Sequence, residues 1–150
     1  MARQPVQVLV LPFYRVGSDV RFAVLHRSDF DAWQGVAGGV EDSESAYEAA
    51  QRELREEPSI DRRVELVSLD STASIPANSF KEHAIWGADT YVIPEVSFGA
   101  DVTGSCVSLS GEHDEIRWLP FAEARHLLTW DSNRTALWEL TQCLSETPAE

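Results

Sequence analysis

Residues 38–60, GGVEDSESAYEAAQRELREEPSI, constrain this chain more than any other stretch. Wound as a helix at about 100° per residue, positions 45–57 put Ala46, Ala49 and Ala50 on one stripe. Glu53 and Glu57 extend that stripe, with Glu56 alongside. Small alanines let such a helix lie close against a sheet, and the same stripe then carries carboxylates into a partly buried place. Glu53 and Glu57, four residues apart, repel each other. Acids crowding a helix C-terminus also oppose the macrodipole, by about 0.3–1 kcal/mol each. A bound cation relieves all three costs. Glutamate oxygens without His or Cys suit a hard ion, Mg²⁺ or Mn²⁺. The plainer alternative is a solvated helix face on which Arg52 and Arg55 pair with the acids.

With 150 residues, 43% hydrophobic and 25% charged, positions 1–150 make one ordinary globular domain able to bury a core. No apolar run approaches the roughly 18 residues of a membrane span, and MARQPVQ has no signal-peptide pattern. A cytoplasmic protein with no membrane partner is expected. Cys106 and Cys143 are far apart and neither has metal-like spacing with a histidine, so two free thiols are expected. The formal charge of −13 argues against nucleic acid as a partner. A small polyphosphate stays open to so acidic a protein if divalent ions and a few local cations neutralise it, and metal dependence follows from charge alone.

Along the chain, 6–14 reads as a buried strand, 16–19 as a turn and 20–26 as the returning strand of a hairpin. A polar loop (27–31) leads to a short strand at 33–36. Ala37, Gly38 and Gly39 allow close backbone approach, and Asp42 and Ser43 are candidate caps for the helix that Pro58 ends. Residues 63–74 look extended, 75–82 a loop, 83–93 a strand closed by Pro94, and 95–111 a patternless loop over the site. A strand at 115–119, a short helix at 121–128 and a last helix capped by Asp131 or Ser132 follow. The order predicts a mixed α/β or α+β domain.

The spacing Gly38, five residues, Glu44, seven residues, Arg52-Glu53-Leu54, one residue, Glu56-Glu57, one residue, Ser59-Ile60 resembles the Nudix box. Only Ser59 departs, where the pattern closes on glycine. A left-handed serine is costly, so the loop after the helix is expected to take its own path, with no metal-binding carboxylate lost. The resemblance implies a mixed sheet sandwiched between helices, with the box as loop–helix–loop. It also implies a metal-dependent hydrolase in which water attacks phosphorus. On this resemblance Glu53, Glu56 and Glu57, with the Gly38 carbonyl, hold the metal; Arg52 orients a box glutamate and Glu44 helps position the site. The general base is either a box glutamate or Glu112, also a candidate metal ligand, with His113 an orienting or merely polar group. Many such enzymes are dimers, so a homodimer is compatible.

Outside the box, Trp33 to Glu41, Glu112-His113, Trp118-Leu119 and then Trp130, Ser132, Asn133, Arg134 and Ala136 resemble the dihydroneopterin triphosphate pyrophosphatases. The substrate would then be a pterin or nucleoside triphosphate, cleaved to monophosphate and pyrophosphate. Trp33 or Trp130 would stack on the ring, Arg27, Lys81 and Arg134 would meet phosphates, and Asn133 would join them. Core packing for the tryptophans and solvation for the cations are the structural alternatives. Other Nudix substrates (dNTPs, diadenosine polyphosphates, ADP-ribose) stay open. So do a nucleotide-sensing module without turnover and an acidic protein-interaction domain, although the intact glutamates favour an enzyme.

Overall fold

The apolar run near the N-terminus becomes β1 (Arg3–Val16), the strand on which the rest is assembled. Val8 and Val10 turn to one face and Leu9, Leu11 and Phe13 to the other, all at most 2% exposed. A strand buried on both faces reads as a continuous hydrophobic run, as this one does. The computed structural model describes residues 3–55, 64–105 and 111–145, without the Arg55 side chain.

β2 (Asp19–Arg27) returns antiparallel from the turn at Gly17, which holds φ 61°. β3 (Trp33–Gln34) pairs with β2, and β4 (Val36–Glu41) pairs with β1. The chain changes partner at Gly35, where a Cβ would lie 2.7 Å from the Val10 carbonyl oxygen and 2.8 Å from Leu11 Cδ2. No larger residue fits that crossing. β5 (Leu66–Pro76) pairs with β6 (Val92–Asp101), which runs parallel to β1, and β7 (His113–Leu119) closes against the far edge of β2. The result is a seven-stranded mixed sheet. α1 (Ala46–Arg55) covers one face through Ala49, Ala50 and Leu54. α3 (Phe121–Leu127) and α4 (Asp131–Ser145) cover the other through Ala124, Ala136, Leu137 and Leu140. Among the described residues no helix is long and apolar enough to cross a membrane.

Three local expectations are corrected. The α1 cap is neither Asp42 nor Ser43. Ser45 Oγ accepts from the Glu48 amide (3.1 Å) and Glu48 Oε1 from the Ser45 amide (2.9 Å), a reciprocal capping box. Ser43 instead takes the left-handed conformation, φ 72°, in the preceding turn. Residues 83–93 are not one strand: α2 (His83–Trp86) and a turn precede β6. Nor is 95–111 a loop, because Glu95 to Asp101 lie inside β6. Pro94 does not end that strand, since β1 begins to pair only at Glu95 and asks no N–H of it. The weak pattern has a packing cause. Glu95, Ser97 and Gly99 face α4, which comes so close that a Cβ on Gly99 would lie 2.5 Å from Leu140 Cδ1. Pro58, Ser59 and the end of the box lie outside the described residues.

β5 carries a register shift between Ser68 and Thr72, and α4 supplies the acceptor that its amides need. Glu139 accepts from Asp70 N (2.6 Å), Ser71 N (2.8 Å) and Ser71 Oγ (2.5 Å). Burial raises the Glu139 carboxyl, but the Ser71 and Asp70 donors outweigh it and leave the group below its ordinary value. A depressed carboxylate stabilises the fold above its unfolded pKa, and the benefit goes as pH falls through the folded value. Glu139→Ala should therefore cost about 1–2 kcal/mol at neutral pH, with the difference from wild type shrinking on acidification, read from urea midpoints.

Candidate active site

β4 delivers Gly38 and Gly39 to the rim of a cleft of about 760 Å³, and α1 brings Glu53 to meet them. The Glu53 carboxyl packs on the Gly38 backbone so closely that any Cβ at 38 would overlap it. Gly38 therefore has a steric reason independent of its conformation. A Cβ at Gly39 would likewise meet the Arg3 guanidinium, the far end of a flexible side chain.

Arg52 holds this corner together. Its Nε donates to Glu44 Oε2 (2.7 Å) and its Nη2 to Glu44 Oε1 (3.1 Å), a bidentate fork. Nη1 donates to Glu53 Oε2 (3.0 Å), and Nη2 also reaches the Gly39 carbonyl (2.8 Å). Glu44 in turn accepts from the Glu41 amide through Oε1 (2.9 Å), so the loop before α1 is folded back onto the same guanidinium. The Glu44 bond, and then the Glu53 charge, drive the Arg52 pKa well above its ordinary value against the effect of burial. Glu53 and Glu44 side chains are only 13% and 18% exposed, so removing the cation leaves two carboxylates poorly solvated.

Of the residues singled out in sequence, Arg27, Gly38, Glu53, Glu112, Trp130 and Asn133 line the cleft, and Arg52 stands behind Glu53. The fold does not bring Trp33, Lys81 and Arg134 to that wall. Trp33 packs between His26 (ring centroids 4.8 Å apart) and the Arg117 guanidinium (4.6 Å). Lys81 lies in an exposed turn. Arg134 caps its own turn on the Thr129 carbonyl (3.3 Å). Glu56 and Glu57 lie outside the described residues. Asn133 is 2% exposed and its amide is committed, Oδ1 accepting from Gly35 N (3.0 Å) and Nδ2 donating to Ser132 Oγ (3.3 Å). It pins the start of α4 to the strand crossing. Arg27 spends its fork on Asp29 at 2.9 and 2.6 Å and lies over Phe30. Glu112, in the turn before β7, receives Ser28 N on its carbonyl (3.0 Å), and Glu112 and Arg27 attract each other electrostatically.

Sequence reasoning missed Arg3, Phe30 and Glu95, all on the cleft wall. Arg3 donates to Gln7 Oε1 (2.5 Å), pairs loosely with Glu82 (3.6 Å) and lies over the Phe80 ring. Its Nε is buried without a partner, and burial pulls its pKa down ahead of the Glu82 and Glu53 charges that raise it. The only signal for Arg3 and Glu95 was a charge beside a buried run, which surface positions also give, and Phe30 stood as a lone aromatic in a polar loop. His113 is buried with neither ring nitrogen partnered, and burial, then the Arg27 charge, keep it below its ordinary pKa.

Among the described residues no cluster of three acidic, His or Cys side chains forms a metal site. The part of the site described nevertheless fits a hard divalent ion. It offers an oxygen-only donor set, and a glycine whose missing side chain makes room for the Glu53 carboxylate.

Fold, box and cleft point to one family. A NUDIX domain model matches residues 3–138, and the chain belongs to that family. Among solved structures, a Listeria monocytogenes protein described as a NUDIX hydrolase is 48% identical, with TM-score 0.85 over 95% of each chain. The Escherichia coli dihydroneopterin triphosphate pyrophosphohydrolase is 28% identical, with TM-score 0.73 over 94% of this chain and 99% of that one. The curated E. coli dihydroneopterin triphosphate diphosphatase is 39% identical over 67 residues, a match that spans 45% of this chain and 44% of that relative.

Two outcomes are expected. Arg52→Ala should lower stability by about 2–3 kcal/mol, because it strands two half-buried carboxylates, measured by chemical denaturation. His26 bridges Asp31 (2.9 Å) and Asp114 (2.8 Å), tying the loop that carries Arg27 and Phe30 to the segment after Glu112. Those two bonds, Asp31 first, raise its pKa. The contribution should be complete below the unfolded value of about 6.5 and disappear as pH rises through the folded one. His26→Gln should flatten that part of the stability–pH profile.

Proposed function

We propose that this chain is a divalent-metal-dependent pyrophosphohydrolase of a nucleoside or pterin triphosphate, releasing the monophosphate and pyrophosphate. The observation that carries this is the Arg52–Glu53–Gly38 corner opening into a cleft whose far wall is aromatic and amide-bearing. Glu53, with Glu56, Glu57 and the Gly38 carbonyl, would hold Mg²⁺ or Mn²⁺. The ion supplies charge neutralisation of the polyphosphate and a more acidic bound water. Arg52 keeps Glu53 aimed at that corner by taking one of its oxygens. Arg3 and Arg27 are the guanidinium groups on the cleft wall, and we assign them to the phosphates, with Arg27 exchanging Asp29 for a phosphate oxygen. We assign the proton of the attacking water to Glu112, supported by its place on the same wall beside Arg27. Phe30 and Trp130, 6.5 Å apart and tilted by 57°, offer faces to a planar ring. Dihydroneopterin triphosphate is the preferred substrate in this reading, supported by the 28% identical full-length neighbour and the partial 39% match.

Turnover of dihydroneopterin triphosphate, the four dNTPs, ADP-ribose and diadenosine polyphosphates, each with Mg²⁺ or Mn²⁺, tests this. Metal-dependent release of pyrophosphate from a triphosphate, reduced about a thousandfold in Glu53→Gln, is expected. Silence on every substrate while metal still raises the melting temperature would replace the hydrolase with a sensing module.

A further inference from the structure

Glu95 is 5% exposed, yet it lines the cleft. It sits on the face of β6 turned toward the start of α4, where Ser132 Oγ approaches its Oε1 at 3.5 Å. Gln7 stands opposite Glu95 in the β1–β6 pairing, and its side chain lowers the Glu95 pKa. Among the described residues no cation pairs with this carboxylate. One long hydrogen bond and the neighbouring Gln7 amide are poor compensation for a carboxylate so buried, which has room for about four donors. Replacing it by a neutral residue would make a more stable protein, so its place on the cleft wall asks for a ligand that donates to it.

The neighbouring amide narrows the ligand. Gln34 Oε1 accepts from Trp130 Nε1 (2.9 Å), which orients the amide and leaves its NH2 as the donor on the same wall. The wall thus offers a carboxylate acceptor pair and an amide donor beside two aromatic faces. We propose that Glu95 reads the ring of the substrate, accepting from the ring N–H and exocyclic amino group of a 2-amino-4-oxopyrimidine edge, as in guanine or a pterin. Gln34 donates to the 4-oxo group. An adenine edge puts an acceptor nitrogen where the second donor is needed, and a thymine edge flanks its single N–H with carbonyls; both set lone pairs against Glu95. Burial pushes the Glu95 carboxyl up, ahead of the Gln7 and Ser132 side chains that lower it, so two ring donors would relieve that cost.

The inference rests on the cleft being a nucleoside or pterin triphosphate site, and ring binding separates it from turnover. Equilibrium binding of GMP, AMP and neopterin would be titrated by NMR against wild type, Glu95→Gln and Glu95→Asp, with melting temperatures and triphosphate turnover recorded alongside. Wild type should prefer GMP and neopterin. E95Q, which puts a donor where an acceptor stood, should bind them about 10–100-fold more weakly while AMP holds or tightens. E95D should recover part of the loss, and the melting temperature of E95Q should stay level or rise. Equal weakening of GMP and AMP, a lowered melting temperature with no change in preference, or no ring binding by wild type would overturn the assignment. A ring preference that E95Q inverts in a protein hydrolysing no triphosphate would uphold Glu95 and overturn the hydrolase. Turnover that needs Glu53 but ignores Glu95 would do the reverse.

Discussion

One guanidinium organises the corner where α1 meets β4. Arg52 can satisfy five donors in a rigid plane, and here it spends them on Glu44, Glu53 and the Gly39 carbonyl. Each bond solves a different problem. Glu44 ties the loop after β4 to the helix, the carbonyl fixes the height of the strand, and Glu53 receives a partner on Oε2. A lysine could supply the charge but not the rigid fork that grips both Glu44 oxygens while reaching Glu53 and the carbonyl. The glycine at 38 belongs to the same solution, because the carboxyl that Arg52 orients occupies the volume of a Cβ.

The charge of the whole molecule works against its ligand. At −13, the long-range field repels a polyphosphate, and attraction must come from groups within about a Debye length, ~8 Å at physiological salt. Arg3 and Arg27 are the cleft's own cations, and both are partly occupied by Glu82 and Asp29. Pre-paired arginines keep a fixed orientation without presenting a strong positive field, so in the proposed reading they would favour a ligand that carries its own divalent counter-ion. A free polyanion would gain less. Ring contacts at the far wall would be little affected by salt and would discriminate where the phosphates could not.

Much of the architecture was legible because it rests on periodicity. The 6–14 run, the hairpin at 16–19, the alanine stripe of α1 and the terminal helix all repeat with the period of their element. The second half of the sheet was not legible. In β6 the positions facing α4 are Glu95, Ser97 and Gly99, small or polar because a helix and a cleft lie there, and the pattern of a buried strand is lost. The corner made by Gly38, Arg52 and Glu53 could be read from spacing within one short segment. Of the far wall Trp130 was singled out but Arg3, Gln34 and Glu95 were not, since those three come from three strands and meet Trp130 only through β1–β6 pairing and the Asn133 anchor. Trp33 shows the limit of residue type as a guide. Its register opposite His26 points it toward Arg117 and away from the cleft.

The two cleft carboxylates are treated oppositely, and the contrast bears on what each does. Glu53 takes a charged hydrogen bond from Arg52, which fixes its position in advance. Glu95 lies deeper, and among the described residues no cation pairs with it; the Ser132 hydroxyl and the Gln7 side chain are its neighbours. A carboxylate meant to hold an ion must be ionised and aimed before the ion arrives. One meant to recognise a neutral heterocycle gains by being under-satisfied, because the hydrogen bonds it lacks are those the correct ring supplies and an incorrect ring cannot. Pairing Glu95 with an arginine would stabilise the fold and remove that difference. The stability forgone at Glu95 is therefore the measure of how sharply the cleft can discriminate between rings.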